Sequence, residues 1–135
     1  MSVIVTDRGF APDDWTGPVA PLDEMGAGTR AVDLPSDTDP AGLAGRLGGL
    51  ALIRVDFPSF ADGRGFTIAR LLRLMGYAGR LRARGHVIAD QYAMARRAGF
   101  DEVEIPDDLA ARQPQEQWLA RAEWAAHDYQ ARLRG

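Results

Sequence analysis

From residue 31 onward, short apolar runs alternate with stretches that carry an apolar stripe at helical spacing. This alternation constrains the fold more than any other feature of the chain. "AVDLP" (31–35), "LALIRVDF" (50–57), "GRLRARGHV" (79–87) and "FDEVEI" (100–105) read as strands. Between them, Ile68, Leu71, Leu72 and Met75 fall at i, i+3, i+4 and i+7, and "IADQYAMARRAG" (88–99) forms a second helix closed by Gly99. "SDTDPAGLAGRL" opens a further helix, with Asp39 as N-cap and Pro40 at the first helical position, weakened by Gly42, Gly45, Gly48 and Gly49. Leu119, Ala122, Ala126, Tyr129 and Leu133 predict a long amphipathic C-terminal helix. Strand and helix in strict alternation predict an α/β fold: a mostly parallel four-stranded sheet with right-handed crossovers. Four such units make half of an eight-fold α/β barrel, and both an open sheet and a half-barrel that pairs with another subunit fit the pattern.

Residues 1–30 break the pattern. "SVIV" suits a strand, but "APDDWTGPVAPLDEMGAG" is dense in turn residues. The expectation is an N-terminal arm or hairpin over 1–30, followed by one α/β domain over 31–135. The 135 residues suffice for a single core.

Charge and cysteine content exclude several roles. The net charge of −3 argues against a nucleic-acid partner, which needs a basic face. All 16 basic residues are Arg. With no Cys, the chain has neither thiolate nucleophile nor disulfide, and it cannot ligate an iron–sulfur cluster through its own thiolates. The N-terminus has no secretory pattern, and no apolar run approaches the ~20 residues of a membrane span. A soluble cytoplasmic protein is expected.

In parallel α/β folds, ligands sit at the carboxyl ends of strands. Asp56, His86 and Glu104 fall there, as does the loop Asp62-Gly63-Arg64-Gly65 that opens a helix. Backbone N–H groups at a helix start attract anions, glycines allow close approach, and Arg64 offers a bidentate grip. A capped turn in which Arg64 bonds a nearby carboxylate fits the same residues. Arg80, Arg82 and Arg84 share one face of their strand, so the strand is either an edge or part of a polar interior. The site reading requires the Asp-Gly-Arg loop and the arginine strand to meet in one polar hollow. His86 fits either a general acid–base or a structural hydrogen bond. Asp56, His86 and Glu104 have no metal-ligand spacing motif, so no metal is expected. Gly26-Ala-Gly28-Thr-Arg-Ala31 fits a dinucleotide fingerprint without its strand and helix. Gly63-Arg-Gly65-Phe-Thr-Ile68 has Ile where a small residue belongs. A dinucleotide is therefore not expected, and the cofactor stays unassigned.

Several blocks together resemble the bacterial DUF934 family. They are Phe57, Phe60, Asp62, Gly63 and Arg64; then Arg82, Ala83 and Gly85; then Asp90 and Gln91, with Arg97, Gly99 and Phe100. "DDW" at 13–15 is also similar to the family. The resemblance implies an accessory protein of assimilatory sulfite reduction that binds a sulfur oxyanion or docks on sulfite reductase. The alternative it implies is a small oxidoreductase, or an enzyme acting on an anionic substrate, using the Asp-Gly-Arg loop. Asp62, Gly63, Arg64, Gly65, Arg82, Asp90 and Gln91 are its candidate ligand residues, with Asp56, His86 and Glu104 behind them. His86 departs from the family pattern, where an acid or amide is expected. A small anion and the reductase are the implied partners, with a homo-oligomer possible through the last helix. Sulfite reduction moves six electrons and uses a haem-like centre and an iron–sulfur cluster, so a Cys-free chain is not the catalytic subunit.

Overall fold

Where the sequence alternates, the computed structural model alternates too, and it describes residues 2–125. The strands are β1 (Ser2–Thr6), β2 (Gly9–Ala11), β3 (Ala20–Pro21), β4 (Ala31–Leu34), β5 (Leu52–Phe57), β6 (Arg80–Gly85) and β7 (Glu102–Pro106). The helices are α1 (Arg64–Leu74), α2 (Tyr92–Ala98), α3 (Asp107–Arg112) and α4 (Gln115–Leu119). The strands form one sheet in the order β2-β1-β7-β6-β5-β4-β3. Strands β3 to β7 are parallel, whereas β1 runs antiparallel to both β7 and β2.

The α/β class holds, and two details of the expectation are corrected. The sheet is seven-stranded and mixed, because the first thirty residues add three strands to it, β1 and β2 as an antiparallel hairpin and β3 at the far edge. The β-branched run "SVIVT" of β1 pairs along β7, whose N–H and C=O groups would otherwise form an open edge. The second correction concerns the C-terminus. Pro114 separates α3, which ends at Arg112, from α4, and α4 ends at Leu119, the first residue of the apolar repeat from which the long helix is expected. Pro114 has no N–H to continue the ladder, and Trp118 turns into the core, its Nε1 donating to the Gln113 carbonyl at 2.9 Å. Ala126, Tyr129 and Leu133, and with them the oligomerising helix, lie outside the described residues. The helix expected after residue 36 shrinks to a 3-10 turn, Pro40–Leu43. Asp39 caps it as expected, accepting from Ala41 N at 3.0 Å.

From β4 to β7 each crossover steps to the next strand in the same direction. Right-handed connections then place every connecting segment on one side of the sheet. That side is apolar. Val32 and Leu34, Ile53, Val55 and Phe57, Leu81 and Ala83, and Val103 and Ile105 meet Phe66, Ile68, Ala69 and Leu72 of α1, with Tyr92 and Ala95 of α2. Alternation sends the intervening residues Asp33, Arg54, Asp56, Arg80, Arg82, Arg84, Glu102 and Glu104 to the opposite face, which carries no crossover helix.

Candidate functional site at the carboxyl rim

β6 is a central strand, so the edge-strand explanation of its three arginines does not apply. The polar face solves the burial problem with a lattice of ion pairs. Arg82 is fully buried; its Nε donates to Glu102 at 2.6 Å and its Nη1 to Glu104 at 2.8 Å, while Asp13 receives both terminal nitrogens at 3.2 Å. Arg54 grips Asp33 bidentately at 2.6 and 2.8 Å and reaches Glu104 at 3.2 Å. Arg80 donates to both oxygens of Glu102 at 2.9 Å and to Asp14 at 2.8 Å. Burial disfavours the Arg82 cation, but bonds to Asp13, Glu104 and Glu102 and the charge of Glu102 more than offset it, so its pKa lies above the ordinary value. Burial likewise pushes Glu104 up. The bond from Arg82 and the charges of Arg54, Arg82 and Arg84 outweigh that, and its carboxyl sits below the usual range. Such a saturated lattice has little capacity left for a ligand. Arg82 is in consequence a structural residue of the face.

Toward the carboxyl ends of β5 and β6 the saturation stops. Arg84 is 46% exposed in its side chain and makes one contact to Glu104, at 3.3 Å. Its cross-strand neighbour Asp56 takes no ion pair among the described residues. Two hollows flank this pair and share it. The larger, about 690 Å3, runs over β4 and the segment after β3. The smaller, about 450 Å3, lies at the rim and is lined by Asp56, Arg84, His86 and Glu104. The structure thus brings Asp56, His86 and Glu104 to one place, as their strand-end positions predict. Gly85 shapes the rim. Its φ is +121°, and a Cβ there would stand 2.6 Å from the Phe57 carbonyl oxygen, which accepts from His86 N at 2.9 Å.

The Asp-Gly-Arg loop lies elsewhere. Arg64 Nε and Nη2 donate to Asp62 at 3.0 and 2.7 Å, and Nη2 also donates to Ser36 Oγ at 2.9 Å. Those bonds hold the Asp62 carboxyl far below the usual carboxylate range. Gly65 is buried, and a Cβ there would sit 2.4 Å from the Phe57 ring, so this glycine lets α1 approach the sheet. Gly63 is the N-terminal flanking residue of α1. Gln91 Oε1 accepts from Ile88 N at 3.1 Å and its Nε2 donates to the Phe60 carbonyl at 2.7 Å, which ties this loop to the turn before α2. Asp90 is exposed and pairs with Arg121 at 2.7 Å. Neither rim hollow is lined by Asp62, Gly63, Arg64, Gly65 or Arg82. The single polar hollow expected from the sequence is therefore corrected. The loop leads into α1 on the apolar side, and the arginine side chains project from the other face. Among the described residues, no group of three or more His, Asp and Glu is placed to hold a metal ion. No described helix is long and apolar enough to cross a membrane.

A family model for DUF934, described as a bacterial protein of unknown function, matches residues 31–135, well over half of the chain. The chain belongs to the DUF934 family. No curated protein and no solved structure matches it. In this DUF934 chain the matched segment contains both the rim and the Asp-Gly-Arg loop, whereas Asp13 and Asp14, which close the lattice over Arg82 and Arg80, precede it. Asp33, Arg54, Glu102 and Asp13 escape a reading based on motifs. Their signal was parity: Asp33, Arg54 and Glu102 occupy the same face of successive strands as the arginines of β6.

Proposed function

We propose that this DUF934 protein is a cytoplasmic, non-catalytic accessory protein of assimilatory sulfite reduction. It presents a small sulfur oxyanion at the carboxyl rim of β5 and β6, in contact with the reductase. The pathway comes from the family resemblance. The observation that carries the oxyanion reading is Arg84, a half-exposed guanidinium with one long contact at the mouth of a 450 Å3 hollow, beside exposed His86. A planar guanidinium suits bidentate recognition of an oxyanion. The alternative, a small enzyme working through the Asp-Gly-Arg loop, has less support, because Asp62 and Ser36 already engage the Arg64 guanidinium.

A strain lacking the protein tests the role. It should grow normally on a reduced sulfur source and poorly on sulfate or sulfite, and an Arg84→Gln copy should fail to restore growth. Normal growth of the deletion strain on every sulfur source would remove the proposal.

A further inference from the structure

Asp56 and Arg84 are direct partners on adjacent parallel strands, yet they do not bond to each other. Arg84 turns toward Glu104 at 3.3 Å, and Asp56 is left facing the hollows on either side. Equal parity puts both side chains on one face of the sheet, and both line the two hollows. An acid and a base that line one hollow without bonding each other can meet the ammonium and the carboxylate of one small molecule. The larger hollow, about 690 Å3, adds the apolar side chains of Pro21, Leu22 and Pro35 next to the charged pair, and Asp23, Asp33 and Arg54 also line it. Its size lies within the ~300–1,000 Å3 of small-molecule sites.

We propose that this hollow binds a compact zwitterion of the α-amino acid class. Asp56 accepts from the ammonium, Arg84 donates to the carboxylate, and an apolar side chain lies along Pro21, Leu22 and Pro35. Neither partner must give up a strong bond. Asp56 has no ion pair among the described residues to lose, and Glu104 keeps Arg54 and Arg82 when Arg84 moves. The inference goes beyond the oxyanion reading and shares only Arg84 with it, so the two ligands compete for that guanidinium.

Calorimetric titration of the full chain tests it, with leucine and methionine as probes and sulfite as the competing anion. Leucine should bind saturably. Leucinamide, without the carboxylate, and isocaproate, without the ammonium, should bind roughly ten- to hundredfold more weakly. Asp56→Asn should weaken leucine by a similar factor and leave sulfite binding unchanged, whereas Arg84→Gln should weaken both. No binding of leucine or methionine, isocaproate binding as tightly as leucine, or an Asp56→Asn protein with unaltered leucine affinity would overturn the proposal. Leucine binding without sulfite binding supports the zwitterion site and removes the oxyanion reading; sulfite binding without leucine binding does the reverse.

Discussion

Arg54 and Arg82 stand directly opposite each other on adjacent parallel strands, and both donate to the same atom, Glu104 Oε1, at 3.2 and 2.8 Å. Two like charges at cross-strand distance repel unless a counter-charge lies between them. Glu104 is that counter-charge, and it also receives Arg84. Glu104→Gln should therefore destabilise the protein by about 3–5 kcal/mol, the cost of removing one member of a buried ion cluster. Urea unfolding measures it. Arg84→Gln, which removes only the half-exposed contact, should cost less than about 1 kcal/mol in the same assay.

The same lattice sets an acid limit. Its Glu104, Asp13 and Asp14 have carboxyls held below their ordinary values, and so does Asp7 outside it, which accepts from Tyr92, Arg96 and Trp124. At Glu104, Asp13 and Asp7 burial opposes the shift and bonds from arginine and other donors exceed it; at the exposed Asp14 the bond from Arg80 leads. A carboxyl with a depressed folded-state pKa contributes stability above its unfolded value and loses it as pH falls through the folded value. The unfolding midpoint should be flat between pH 7 and about 5, then fall steeply below about pH 4. A midpoint that rises on acidification would contradict these pairings.

Two glycines should resist replacement for different reasons. Gly65→Ala forces a methyl group into the buried Phe57 ring and should cost about 1–3 kcal/mol by overpacking. Gly85→Ala combines a positive φ with a clash against the Phe57 carbonyl, which cannot swing away as a side chain can. Thermal unfolding should show both losses. Gly85→Ala should also disturb ligand binding at the rim, while Gly65→Ala should not.

Gln91 bonds at both ends, to Ile88 N and to the Phe60 carbonyl. Gln91→Ala should loosen the loop over 58–63 with little change in global stability. Amide exchange in that loop should quicken while the β5 and β6 amides stay protected.

The parallel β4–β7 segment was legible because each strand and helix has its own period. Of the N-terminal strands, "SVIV" was legible as β1, but its place beside β7, a hundred residues away in sequence, was not, nor were β2 and the two-residue β3. The C-terminal apolar repeat begins at Leu119, yet α4 ends at that residue, next to Trp118, whose indole is anchored in the core. At the site, the parity of Arg80, Arg82 and Arg84 revealed a polar face, but their acceptors lie on β7 and at Asp13 and Asp14, which local spacing cannot connect. Arg64 was harder to place, because a carboxylate two residues away satisfies it before any ligand does.

Titration of sulfite into the wild-type protein and into Arg84→Gln, followed by calorimetry, tests the oxyanion rim directly. Saturable binding by the wild type and a loss of roughly tenfold or more in the variant, with an unchanged unfolding midpoint, is the expected result. Equal affinity in the two proteins, or no binding by either, would contradict an oxyanion site at the carboxyl ends of β5 and β6.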